Sequence, residues 1–573
     1  MKKITLFFLI VFSQTLLSQT KITETEKLAA TCKVWGFLKY YHPKVANGDF
    51  NWDQQLLDVL PKIEKAETQK DFSLLLENWI DSLGEVKKIA PITASKEVEY
   101  FDKNFDLSWI NNKLFSRTLS KKLKFIEENR FQGEQFYVYG LERVGNVALK
   151  NESAANPDFT DKNSKLRMVF MLWNLVEYFF PYKYQTDENW NITLEKIIPL
   201  TIQSKNQEEF FLVIRKLSSR INDSHTDVYV YRNSDAPSAA RYFPADGKII
   251  DNKVVVTEIL ADSLAQADDI KVGDVITKVD NKTIKEIIAE NRDLISASNE
   301  AKFLDKLVKS VLVSKSETVQ VEFLKNGKYS TKTMTWYDYH DSHRNEFKKG
   351  AKKKKQKFKV LENNIGYVDM GILKEKDVPN MIEALKGTKA IVFDVRNYPK
   401  GTIHEISNFI NAHEEKFAIY TIPDLSYPGR FKWSSGTSSG SENKNNYKGK
   451  VIVLVDENTQ SHAEWTAMSF RASGNATIIG SQTSGADGNI SVFGFNGFRT
   501  LFSGIGVYYP DKKETQRVGI VPDIEVKPTI KGIQEGRDEV MEQALLFIEK
   551  GNVKTDEKIK SKVDLKNLQS LRN

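Results

Sequence analysis

Residues 27–84 match residues 165–222 without a gap, at an offset of 138 (165 − 27). Identical pairs at that offset include Lys27 and Lys165, Leu28 and Leu166, Trp35 and Trp173, Tyr40 and Tyr178, Pro43 and Pro181, Asn51 and Asn189, Trp52 and Trp190, Pro61 and Pro199, Phe72 and Phe210, and Leu74 and Leu212. Apolar residues such as Val34, Phe37, Leu38 and Tyr41 recur at helical spacing. Each copy is therefore expected to be a small bundle of about three helices, its first helix ended by Pro43 or Pro181. The period is far longer than that of a solenoid, which makes this a duplicated domain. The copies part at their ends: Gly84-Glu85-Val86-Lys87-Lys88 follows the first, Asn222-Asp223-Ser224-His225-Thr226 the second. Only the second has a histidine there, so the first is expected to serve packing or recognition.

The whole chain has 573 residues, which suggests roughly three to five domains. Its net charge of +7 is spread over 83 basic and 76 acidic residues, too diluted to argue for nucleic acid. The basic run Lys348 to Lys357 reads as a solvated linker. Lys2 and Lys3 precede an apolar stretch, Ile4 to Leu17, interrupted by Ser13, Gln14 and Thr15. That pattern is too short and interrupted for a membrane span and reads as an export signal, with cleavage near Ser18. No later segment has the length to cross a bilayer, so an exported protein, periplasmic or secreted and without an integral membrane span, is expected. Cys32 is the only cysteine, so no internal disulfide can form. The seven histidines show no tight metal-ligand pattern such as HExxH, and neither metal nor cofactor is expected.

Residues 91–160 alternate weakly (Phe136 to Tyr139) and suggest strands without chemistry. Residues 244–335 carry strand signals at Val254–Val256, Val275–Val279 and Val319–Leu324 around a largely helical stretch. From Asn364 on, strand and helix signals alternate, as in an α/β domain with a largely parallel sheet, whose catalytic residues gather at the strand ends. One apolar run, Val451 to Val455, is followed by a polar turn, then Ser461, then a helical pattern containing Ala463, Ala467 and Phe470. A serine between strand end and helix start can be held exposed, with the helix's unpaired N–H groups beside it. The same pattern also fits a simple N-cap.

Taken in order, these motifs resemble those of the S41-family serine peptidases, the class of C-terminal processing and tricorn-like proteases. They are the Asn222–Thr226 histidine motif, a KxGDxIxxV element (Lys271 to Val279) like that of PDZ domains, Asp394 to Gly401 (DxRxxPxG), TQSHAE around Ser461, SQTSGADG (Ser481 to Gly488) and GIVPDIEV (Gly519 to Val526). The resemblance covers residues 165–545. It implies a multidomain α+β protein with a duplicated helical domain, a PDZ-like β-rich domain and an α/β catalytic domain of the ClpP/crotonase-like type. The expected units are a signal peptide (1–18), helical copy one (22–90), a connecting strand-rich segment (91–160), helical copy two (161–235), the PDZ-like domain (240–336), a basic linker (337–362), the catalytic domain (363–550) and a charged tail (551–573). The PDZ-like unit is expected beside the active-site cleft, so that deleting 244–335 weakens cleavage of long peptides more than short ones.

Residue by residue, the resemblance makes Ser461 the nucleophile. The processing-protease branch has a lysine base 25 positions later, where this chain has Ala486 (461 + 25), which rules that mechanism out. The tricorn-like branch uses histidine in a Ser-His pair, matched by Ser224 and His225, with Ser224 orienting the imidazole. That branch also has a glutamate three residues before the Gly-Val/Ile-x-Pro-Asp motif, where Gln516 (519 − 3) stands. Gln516 can orient by hydrogen bonding but not by charge, and Asp487 and Glu514 are candidate substitutes. Backbone oxyanion donors are expected at His462 and Gly401, with Lys400 in place of a family glycine, and Glu464 reads as part of a capping box. The expected activity is hydrolysis of unfolded or C-terminal peptide segments, the partner being a peptide or protein substrate, with oligomeric state open. The alternative is a catalytically silent relative that binds peptides or other ligands.

Overall fold

The computed structural model describes residues 22–92, 96–152, 158–230, 240–338, 347, 356–495 and 498–551. The export signal, most of the basic run and the charged tail lie outside the described residues.

The two helical copies are built alike. In the first, Glu24–Tyr41 is followed by the short Pro43–Ala46 helix, Trp52–Lys65 and Gln69–Ser82; in the second, Lys162–Phe179 is followed by a turn of 3₁₀ helix, Trp190–Gln203 and Gln207–Ser219. Each leading helix stops one or two residues before its proline, where the ring would clash with the helix. The interior hydrogen bonds repeat as well. Trp35 and Trp52 each donate an indole N–H to the other's carbonyl (3.2 and 3.1 Å), and Trp173 and Trp190 do the same (2.9 and 3.1 Å). Lys27 donates to the Ala66 carbonyl, and Lys165 to that of Ser204, its equivalent (66 + 138).

The copies dock through their leading helices, which are buried almost all round, as expected of helices without a polar face. Equivalent positions meet each other there. The Tyr40 and Tyr178 rings make an edge contact at 5.2 Å, and Gly36 faces Asn174, its own counterpart (36 + 138). Equivalent residues touching each other mark a pseudo-two-fold axis inside one chain, the logic of an isologous dimer interface.

The connecting segment holds more helix than its sequence suggests: Arg117–Glu128 is an amphipathic helix, and the strands reduce to short pieces, including a hairpin of Val138–Gly140 and Val147–Leu149. The following unit is a six-stranded sheet with Ala245–Ile250 at one edge. Its core runs from Phe243 to Trp336. The stretch expected to be largely helical there divides into Ile284–Asn291 and Glu300–Val311, with the loop between them reaching the second helical copy. The last domain has a six-stranded sheet in the order Phe358–Leu361, Ile365–Asp369, Ala390–Asp394, Lys450–Val455, Ala476–Gly480, Ile524–Glu525. Only its first pair is antiparallel. Helices cover both faces, so the central strands are apolar without alternation. Arg396 of the DxRxxPxG stretch grips both Asp394 (2.9 and 2.7 Å) and Asp538 (2.9 Å twice), the N-cap of the final helix Glu539–Lys550.

Candidate active site

Ser461 stands between the strand Lys450–Val455 and the helix His462–Arg471, with φ 56° and ψ −121°. A residue with a Cβ is uncommon at such an angle, and such strain survives only where the surroundings hold it. Here they do. The Ser461 N–H is shared between the Ala486 carbonyl (2.9 Å) and Glu464 Oε2 (3.2 Å). The buried Glu464 carboxylate also accepts from the N–H groups of Gly485 (2.8 Å) and Ala486 (3.1 Å) and from the Thr483 hydroxyl (2.5 Å). Glu464 therefore clamps the serine turn to the loop 483–486, the carboxylate half of a capping box put to wider use. The N–H of His462, the first residue of the helix, has no hydrogen-bond partner among the described residues.

His225 follows the helix Gln207–Ser219 and precedes the strand Asp227–Val230, which pairs antiparallel with Phe498–Ser503. That register brings the ring to Ser503. His225 Nδ1 lies 2.9 Å from Ser503 Oγ, and Ser503 Oγ donates to Asp223 Oδ1 at 3.0 Å. Asp223 Oδ2 accepts the Ser503 N–H (2.7 Å), and Oδ1 also accepts from Gln516 Nε2 (3.2 Å). A hydroxyl has one proton, and here the carboxylate takes it. Ser503 Oγ must then accept from Nδ1–H, which leaves the lone pair on Nε2. Burial pushes the His225 pKa below its ordinary value against the pull of Asp223, so the neutral form is favoured.

The serine and the histidine share one framework. Ser224 Oγ donates to the Ser484 carbonyl (2.8 Å), two residues from the Ala486 carbonyl that holds the Ser461 N–H. No hydrogen bond joins the two side chains directly.

A family model for peptidase family S41 matches residues 364–526, and one for the PDZ domain matches residues 233–301. Residues 364–526 are an S41 peptidase domain. The chain is thereby a serine-type peptidase with a PDZ domain and a helical N-terminal region. Among solved structures, mature CPAF in complex with lactacystin is similar over 67% of this chain and 98% of its own, at 12% identity and a TM-score of 0.53. The photosystem II D1 C-terminal processing protease is similar over 65% of this chain and 97% of its own, at 15% identity and a TM-score of 0.39. The likeness to CPAF, at 12% identity, speaks for the fold alone. No curated protein matches the sequence.

Within and around the S41 domain, some expected roles fall to other residues. Ser224 does not bond the imidazole: its hydroxyl accepts from Ser298 N–H (2.9 Å) and donates to Ser484. Ser503, unmarked in sequence, takes the place beside Nδ1. Gln516 acts one step further out, on Asp223 and on the Ser298 hydroxyl (3.4 Å). Glu514 is not an orienting group for His225, because its carboxylate is held by the Tyr184 hydroxyl (2.7 Å) and Lys103 (2.9 Å). Asp487 makes no hydrogen bond to His225 either; it lines a cavity of about 680 Å³ with Ser461 and His462. Gly401 has φ 79°, which suits glycine, and its neighbour Tyr398 brings that loop within 6.2 Å (ring centroids) of His462. The connecting segment, read as having no chemistry, supplies one wall of the cavity through its hairpin tip, Leu141 to Gly145. The Asn146 amide ties the hairpin to the Ile490 carbonyl (2.8 Å).

Proposed function

We propose that the chain is an exported endopeptidase in which Ser461 attacks the peptide carbonyl and His225 takes its proton. The observation that carries this reading is the Asp223–Ser503–His225 chain, which leaves Nε2 as the proton-accepting nitrogen of a neutral ring. In the first step the Ser461 oxygen bonds to the carbonyl carbon while its proton passes to His225 Nε2. The carbonyl oxygen becomes an oxyanion, facing the unpaired His462 N–H and, in this reading, that of Gly401. The imidazolium then returns the proton to the leaving amine, and water repeats the cycle on the acyl-enzyme. Asp223 acts on the imidazolium through the Ser503 hydroxyl. Substrate binding has to close the remaining gap between Ser461 and His225, since catalytic hydrogen bonds tighten in the complex.

The substrate class proposed is unfolded or C-terminal peptide segments. The edge strand Ala245–Ile250 and the helix Glu300–Val311 border a cavity of about 700 Å³, where an extended peptide can add to the sheet. Export rests on the N-terminal sequence; no helix among the described residues is long and apolar enough to cross a membrane.

Labelling with a fluorophosphonate probe tests the mechanism. Wild type is expected to label at Ser461, and Ser461→Ala and His225→Ala each to lose both labelling and peptide hydrolysis while remaining folded by circular dichroism. The double variant is expected to be little worse than either single one. A folded wild-type protein that resists the probe would leave the peptide-binding, catalytically silent reading in its place. For export, fractionation of the producing cell followed by N-terminal sequencing is expected to find the mature chain starting near residue 19, outside the cytoplasm.

A further inference from the structure

The cavity beside Ser461 is lined by Tyr398, Tyr420, Trp465, Ile422, Ile505 and Val507. Ser461 and His462 lie on the same surface. Beside these apolar and aromatic walls stand the polar Arg143, Thr437 and Asn489; His462 Nε2 is buried without a hydrogen-bond partner, and Asp487 is the buried carboxyl of the lining. Asp487 is 3% exposed; one oxygen accepts the Gly488 N–H (2.6 Å), and Oδ2 has no hydrogen-bond partner. No cation pairs with this carboxyl among the described residues. The other buried carboxyl nearby, Glu464, accepts from four donors and asks for nothing more. Arg143, the only cationic residue on the lining, lies exposed at the rim.

We propose, resting on Ser461 as the nucleophile, that Asp487 forms the base of the primary specificity pocket and selects lysine or arginine immediately before the cleaved bond. An apolar side chain filling this pocket would leave Asp487 Oδ2, already shut off from solvent, without a partner. An acidic one would meet a second carboxyl in a dry site. A basic side chain instead lays its methylene stem along the apolar walls and brings a donor to the Asp487 carboxyl. Arginine fits best, because its planar guanidinium also stacks on aromatic faces. Burial, and after it the Glu464 charge, push the Asp487 pKa well above the ordinary carboxyl range, a penalty that an arriving cation relieves.

The test uses the full-length protein and two peptidyl diphenyl phosphonates that differ only in arginine or leucine at the reacting position, alongside a non-selective fluorophosphonate. The arginine probe is expected to inactivate wild type at least about tenfold faster than the leucine probe, one tenfold step being 1.4 kcal/mol. In Asp487→Asn the ratio is expected to fall to near one. The wild-type comparison stands by itself if that variant does not fold. Labelling by the non-selective probe with no arginine preference overturns this inference and leaves the proposed mechanism standing. No labelling by any probe overturns both.

Discussion

Ser461 holds a backbone conformation that ordinary residues avoid, and the hydroxyl it presents is the return on that strain. Glycine normally destabilises relative to alanine by about 0.5–1 kcal/mol in regular structure. At position 461 the order should invert: Ser461→Gly is expected to melt higher than Ser461→Ala by the equivalent of about 1 kcal/mol in calorimetry, both being inactive. Under the proposed mechanism, His225 sets the acid limb of the rate. Its base form is the active one, and its pKa lies below the ordinary value near 6.5, so kcat/KM is expected to rise with pH and reach half its plateau below ~6.5. Ser503→Ala removes the acceptor for Nδ1–H and is expected to lower kcat/KM by about 10²-fold, the scale of a general-base contribution. A second histidine reads out as stability. Both ring nitrogens of His42 are buried without partners, and burial lowers its pKa to about 4. A folded pKa below the unfolded value means the contribution is fully present above ~6.5 and is lost as pH falls toward about 4, some 3 kcal/mol in all. Urea midpoints of wild type and His42→Phe at pH 7 and pH 4.5 check this, with wild type expected to lose more. The placement of Ser461 between a strand and a helix, and of His225 between a helix and a strand, was readable in the sequence because a strand–turn–helix pattern and a motif mark them. Ser503 was not, because only the antiparallel register opposite Asp227–Val230 gives it its neighbour.

At the scale of elements, the duplication was readable because a gapless repeat keeps identical residues such as the tryptophan and proline pairs in register. How the copies dock was not, since nothing local says that position 36 will meet position 174. A Cβ at Gly36 would lie 1.8 Å from Asn174 Oδ1, and the Asn174 amide is itself held by the Cys32 carbonyl (3.1 Å). Gly36→Val is therefore expected to cost about 1–3 kcal/mol, the usual range for overpacking. Adding Asn174→Gly should recover most of it, whereas independent sites would simply add. Denaturant unfolding of the four proteins in that cycle decides. The strands and helices of the S41 domain followed their sequence signals closely because buried parallel strands are unbroken apolar runs. The amphipathic helix Arg117–Glu128 was missed between weak neighbours.

At the scale of the molecule, the PDZ unit is more than an accessory beside the cleft. Ser296 Oγ donates to the Asp223 carbonyl (3.0 Å), and Ser298 brackets Ser224 from both sides (2.8 and 2.9 Å). Lys306 donates to the Thr226 carbonyl (3.0 Å). Deleting 244–335 is thus expected to abolish cleavage of short and long peptides alike, not to discriminate by length as the sequence led one to expect; paired kcat/KM measurements on a short and a long substrate check it. The surroundings of His225 come from residues 223–226, 296–298, 484, 503 and 516, spread over about half of the chain (294 of 573 positions, 223 to 516). A ribosome makes these pieces in that order, and the last arrives when about nine-tenths of the polypeptide has been synthesised (516 of 573). Under the proposed mechanism, a chain that stops before these residues are made lacks the framework that holds His225.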